Sequence, residues 1–163
     1  MKHTISVLVE NHPGVLARIS GLFARRGFNI DSLAVGVTDD VNISRVTIVA
    51  DGSDYTLEQI EKQLNKLIDV IKVKTLAADS MISRELVLIK VSCTAKQRPE
   101  ILSIVELAHG KISDISQNSV TIELSDDKQT LCNFEELLRP YGIKEIVRTG
   151  TIAIQKGEAT VRV

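Results

Sequence analysis

Val7-Leu8-Val9-Glu10-Asn11-His12-Pro13-Gly14-Val15-Leu16-Ala17-Arg18-Ile19 changes hydrophobic period within a few residues. Up to Val9 the run is apolar, as in a central strand. From Val15 onward, Val15, Leu16, Ile19, Leu22 and Phe23 recur at i, i+1, i+4, i+7 and i+8, which is one face of a helix. Between the two, Pro13 is favoured at a first helical position, where its missing N–H costs nothing. The stretch therefore predicts a strand, a sharp turn and a helix that starts at the turn. The first N–H groups of such a helix lack intrahelical partners and sit at its positive end, where a small anion can bind. The turn carries no obvious catalytic side chain. It reads as a place to hold a small ligand, with no chemistry done on it.

Working outward, Arg25 and Arg26 suit the negative end of the helix, and Gly27 suits a left-handed C-terminal cap. Strands are predicted at 30–37 and 43–50, joined by Thr38-Asp39-Asp40. Asp51-Gly52-Ser53-Asp54 breaks the second, and Ser53 or Asp54 can cap the next helix. That helix carries Leu57, Ile60, Leu64, Leu67 and Ile68, and a strand at 70–76 closes a βαββαβ unit. The second half repeats the order. It has a strand at 86–91 and a helix opened by Gln97-Arg98-Pro99-Glu100 that carries Ile101, Ile104, Val105 and Ala108. A hairpin of 111–115 and 119–124 turns at Gln117-Asn118. A helix after Asp126-Asp127 carries Leu131, Phe134, Leu137 and Leu138, and a strand-like stretch at 143–154 is bent or ended by Gly150. The expected organisation is a domain over 1–76, a linker over 77–83, a domain over 84–157 and a loose tail over 158–163. Both domains are α+β and ferredoxin-like, with antiparallel sheets and helices on one face. That fold hosts many functions and decides none.

The composition excludes several classes. The 163 residues are 44% hydrophobic, enough for packed cores. Net charge is −1, from 20 basic and 21 acidic residues that are well mixed, and aromatics are 3% with no Trp. A nucleic-acid binder needs a basic face and stacking rings, so no nucleic acid is expected. No apolar run approaches a membrane span, and Met1-Lys2-His3-Thr4 leads into a strand pattern with no signal peptide, so a cytoplasmic location is expected. Cys93 and Cys132 have no metal or redox spacing and read as free thiols.

No catalytic constellation emerges. His3, His12 and His109 lie in different elements without a partner at triad or metal-ligand spacing, and neither a zinc pattern nor a Gly-rich phosphate loop is present. Asp39/Asp40 and Asp126/Asp127 are adjacent pairs suited to turns and helix starts. No metal site is expected. The ligand reading rests on the Asn11–Val15 turn, comprising Asn11, His12, Pro13, Gly14 and Val15. Gly14 lets a ligand approach the backbone, and N–H groups near Gly14 and Val15 suit a carboxylate. Asn11 offers both donor and acceptor. Arg18, one turn into the helix, reads as a structural charge that can also assist a carboxylate. Asn29 enters the second strand, which in this topology is an edge, and edges are natural places for two copies to pair. A twofold dimer there brings Asn29 and Ile30 of one copy near the turn of the other. Leu16 and Ile30 are candidates for the side-chain pocket.

These residues carry a resemblance. Residues 4–11 with Pro13-Gly14-Val15-Leu16 and Arg18-Ile19 resemble the start of an ACT domain, a ferredoxin-like module that binds amino acids. Gly21-Leu22-Phe23, Arg25-Arg26-Gly27-Phe28-Asn29-Ile30, Ser32-Leu33, Val35-Gly36, Ser44-Arg45, Thr47-Ile48-Val49, Gln63-Leu64 and Lys66-Leu67-Ile68-Asp69-Val70 narrow it. They are similar to the small regulatory subunit of acetolactate synthase. Ser83-Arg84-Glu85-Leu86, Leu88-Ile89-Lys90-Val91, Gly142-Ile143, Glu145, Arg148-Thr149-Gly150 and Ala153 resemble the ends of that family's C-terminal domain. Residues 97–140 match through order and flanks alone.

The resemblance implies a non-catalytic subunit and a large catalytic partner that holds thiamine diphosphate, FAD and magnesium. No cofactor is expected in this chain. It further implies activation of that partner and feedback inhibition by valine or another branched-chain amino acid. The implied effector site comprises Asn11, His12, Pro13, Gly14, Val15, Leu16, Asn29 and Ile30, shared across a homodimer of the first domain. Other readings are a stand-alone ACT-type sensor acting on another enzyme or regulator, an RNA-binding βαββαβ protein, and a small acylphosphatase-like hydrolase. The last needs an arginine in the first loop, where Asn11, His12, Pro13 and Gly14 stand.

Overall fold

Strand β1, Lys2–Glu10, is buried from Thr4 through Val9, because both faces of the strand are covered. The structure, a computed structural model, describes residues 1–163. After β1 come α1 (Val15–Arg26), β2 (Ile30–Val37), β3 (Ile43–Asp51), α2 (Asp54–Leu64) and β4 (Val70–Leu76). The strands form an antiparallel sheet in the order β2-β3-β1-β4, so β2 and β4 are its edges. Ile5, Val7 and Val9 meet Ile19, Leu22 and Phe23 of α1 and Ile60 and Leu64 of α2 in one core. Ser53 caps α2 by accepting from the Thr56 N–H at 3.2 Å, and Gly27 ends α1 in the left-handed region at φ 67°.

The second set is β5 (Met81–Ser92), α3 (Arg98–Leu107), β6 (Lys111–Ile115), β7 (Ser119–Asp126), α4 (Lys128–Leu138), β8 (Ile143–Arg148) and β9 (Ile152–Gln155). Its sheet runs β6-β7-β5-β8 over a separate core of Val87, Ile89, Ile101, Ile122, Leu131 and Phe134. Asp127 caps α4 by accepting from the Thr130 N–H at 2.8 Å. Two separated motifs meet in this unit. The Thr149 Oγ1 accepts from the Leu86 N–H at 3.1 Å, and Arg148 bridges the buried Glu85 and Glu135 carboxylates.

Two expectations change. Residues 77–83 are not a plain linker, since Ala78–Ser80 form a 3-10 turn and β5 begins at Met81. By packing, the chain divides into Met1–Ile82 with Thr151–Val163 and, separately, Ser83–Gly150, with Gly150 at φ 85° between them. Residues 158–163 are no loose tail. The Arg45 guanidinium donates to the Ala153 carbonyl at 2.8 Å, Lys72 donates to the Arg162 carbonyl at 2.6 Å, and the Thr151 N–H donates to Ser32 Oγ at 2.8 Å. Ala153 and Val161 are buried against Leu8 and Leu76, on the sheet face away from the helices. Two helical positions also fail: Ile68 falls beyond the end of α2 and is 88% exposed, and Leu137 faces outward.

Candidate functional site

The chain leaves β1 at Glu10 and enters α1 at Val15. Pro13 does not occupy the first helical position. Gly14 is the N-cap, in the left-handed region at φ 92° and ψ −15°, and no side chain caps the helix. The cap requires glycine, because a Cβ there strains the backbone although space around it is open. The Gly14 carbonyl takes the first helical bond, from the Arg18 N–H at 3.1 Å. The N–H groups of this end point outward at the positive pole of α1, with no acidic residue in its first turn.

Asn11 is anchored rather than free. Its backbone N–H donates to the Asn42 carbonyl at 2.7 Å, and its Nδ2 donates to the Val41 carbonyl at 2.8 Å. The residue is exposed, and its side-chain nitrogen is committed to that bond. Val15 turns its side chain into the core, so only its backbone serves a ligand. Leu16 is 43% exposed and is the apolar group presented beside the turn.

His12 sits in an ion-pair network that residue spacing concealed. Its Nδ1 lies 3.1 Å from the Pro13 carbonyl, and its Nε2 lies 3.0 Å from Asp69 Oδ1 and 3.3 Å from Glu10 Oε2. Asp69, buried in the loop between α2 and β4, also takes the Arg18 guanidinium on Oδ2, and its carbonyl accepts from the Glu10 N–H at 2.9 Å. The Pro13 carbonyl foremost, then Asp69 and Glu10, hold the His12 pKa above its ordinary 6.5, against the opposing effect of desolvation. The donor atoms of Glu10, His12 and Asp69 lie within 4.8 Å of one another. With Arg18 already on Asp69, the arrangement is an ion-pair network closing on a guanidinium. In the sequence Asp69 has no neighbouring residue that signals this role, only its place in the 66–70 stretch.

Beside Asn11 and His12 lies an open cleft of about 440 Å³, lined by Glu10, Asp40, Asn42, Ile43 and Ile71 as well. Asn29 and Ile30 are elsewhere. Ile30 pairs with Ala50, which pairs with His3, whereas Val37 pairs with Ser44, which pairs with Val9. At ~3.3 Å per residue, the start of β2, level with His3, is therefore roughly 26 Å from Asn11 along the sheet. Asn29 is exposed, its Nδ2 donating to Asp31 Oδ1 at 2.8 Å, and Ile30 packs partly against the core. One chain thus does not bring the two halves of the expected site together.

A βαββαβ sheet with an open, glycine-capped helix start beside its first strand has the architecture of an ACT-type module. Residues 5–72 match the family model described as AHAS small subunit-like ACT domain, and residues 84–157 match the one described as small subunit of acetolactate synthase. The chain is 50% identical to a probable acetolactate synthase small subunit of Archaeoglobus fulgidus, over 96% of this chain and 98% of that one. It is 51% identical to the acetolactate synthase small subunit of Mycolicibacterium smegmatis, over 95% and 91%. The crystal structure of the small subunit from Thermotoga maritima superposes with a TM-score of 0.91 at 39% identity, over 98% and 99%. The chain belongs to the acetolactate synthase small subunit family, and it is a regulatory subunit rather than the catalytic chain. Small subunits of this kind partner a catalytic large subunit. No helix is long and apolar enough to cross a membrane.

Proposed function

We propose that the chain activates the large subunit of acetolactate synthase and makes it sensitive to a branched-chain amino acid, with valine the first candidate. Thiamine diphosphate, FAD and magnesium, and the chemistry they supply, belong to the large subunit in this reading. The amino acid binds where two first domains meet. Its carboxylate takes N–H groups at Gly14 and Val15, and its ammonium faces the Asn11 side-chain oxygen. Asn29 and Ile30 of a second copy complete the site, with Leu16 and Ile30 flanking the side chain and His12 and Pro13 shaping the turn.

The observation that carries the reading is the pairing of an open helix start with an edge strand. β2 is an edge and leaves Val35 and Val37 exposed at 49% and 62%. It holds Asn29 and Ile30 at the end of the sheet opposite the turn, so a twofold axis through two β2 edges brings one copy's turn toward the other's Asn29. Valine that prefers one dimer arrangement shifts the population of arrangements and, with it, the grip on the large subunit. A coupling of about 1–3 kcal/mol gives roughly 5–150-fold control.

Gly14→Asp in the reconstituted enzyme tests the site. It places a carboxylate where the ligand's carboxylate docks. Valine inhibition is expected to disappear while activation of the large subunit persists. Unchanged valine sensitivity in the folded variant rules the site out.

A further inference from the structure

We infer that Asp69 is a positioning residue of this effector site. It holds the Asn11–Val15 turn through His12 and Arg18, and the hold tightens when His12 carries a proton. The inference rests on the effector reading above and adds pH control to it.

Asp69 ties three neighbouring pieces together. Its carbonyl fixes the end of β1 through the Glu10 N–H, Oδ1 faces His12 within the turn, and Oδ2 takes Arg18 from the first turn of α1. Its side chain is only 6% exposed, so loss of a partner leaves a poorly solvated carboxylate. The ring of His12 fixes the proton arithmetic. A carbonyl only accepts, so Nδ1 must carry a hydrogen to bond the Pro13 carbonyl at 3.1 Å. A neutral ring has a single N–H, so it serves either that carbonyl or the oxygens of Asp69 and Glu10 at 3.0 and 3.3 Å, and turns a lone pair toward the other. A second proton converts that repulsion into a donated hydrogen bond and an ion pair.

The charged groups facing His12 are Glu10 from β1, Asp69 from the loop between α2 and β4, and Arg18 from α1 acting through Asp69. Asp40 of the β2–β3 loop shares the adjoining cleft. The ordinary histidine value is 6.5 and these surroundings raise it, so the switch falls above that pH. The imidazolium also adds positive charge beside the helix start where a carboxylate docks. An exposed ion pair of this kind changes affinity roughly two- to fivefold.

The test is calorimetric titration of the full chain with L-valine from about pH 6 to about pH 9, which brackets the histidine range. Wild-type affinity is expected to fall about two- to fivefold with rising pH, and the heat is expected to depend on the buffer as the protein takes up a proton on binding. His12→Gln, at an exposed position, should bind valine with a flat profile. Asp69→Asn should weaken binding throughout, and the His12 titration followed by NMR should move down in that variant. Pairing at a surface histidine that only stabilises the fold would leave the valine profile unmoved. A flat wild-type profile without proton uptake overturns the inference and leaves the effector reading standing. So does a pH-dependent profile that His12→Gln retains. Absence of binding of valine, leucine and isoleucine by the wild type at every pH removes the effector reading and the inference together.

Discussion

Gly14 and Asp69 show how differently two residues of one site announce themselves. Gly14 stands out in the sequence because it follows Pro13 at a change of period, and its backbone needs the left-handed region. An L side chain there costs about 1–2 kcal/mol. Gly14→Ala should therefore lower unfolding free energy by about that much in denaturant titration, without the added charge of aspartate. Asp69 is silent in the sequence, because its partners Glu10, His12 and Arg18 lie more than fifty positions away and only the sheet brings them together. His12 was legible as a turn residue but not as an ion-pair partner, for the same reason. Its raised pKa carries a stability sign. The His12 contribution is present below the unfolded value of 6.5 and is lost as pH rises through the higher folded value. Melting temperatures of wild type and His12→Gln should therefore converge at alkaline pH and separate below neutrality.

At the scale of elements, local signals did well where a period ran long enough. The strands at 30–37 and 70–76 fall at the expected residues, and the caps Ser53 and Asp127 are used as helix chemistry dictates. Asp127→Ala removes a cap worth about 1 kcal/mol. The Thr130 N–H holds the Asp127 pKa below its usual value, so the wild-type advantage is present above pH 3.8 and is lost as pH falls through the lowered value. Urea melts at neutral and acid pH check both parts. Ile68 and Leu137 misled because a heptad count assigns a face only while the helix continues and only as wide as the facing sheet. The strand-like reading of 143–154 holds for Ile152 onward, but residues 158–163 carry no period, and Val161 is a single apolar residue whose burial no local pattern signals. The edge β2 makes a separate claim. Val35→Lys puts a charge on the exposed face of that strand, and sedimentation should show a dimer in the wild type and a shift toward monomer in the variant.

For the whole molecule, the sequence carried the order of elements and the family, since both were written in the long apolar periods and in the 4–19 and 142–153 motifs. It did not carry the assignment of Thr151–Val163 to the first unit, which depends on bonds from Arg45, Ser32 and Lys72 to distant backbone. The regulatory role rests on the helix start, the edge strand and a partner that does the chemistry. Acetolactate formation by the cognate large subunit, measured alone, with this chain, and with this chain plus valine, leucine or isoleucine, tests that role most directly. The account expects the chain to raise activity and valine to bring it back toward the level of the large subunit alone. A large subunit whose activity is the same with and without the chain, or a complex indifferent to all three amino acids, contradicts it.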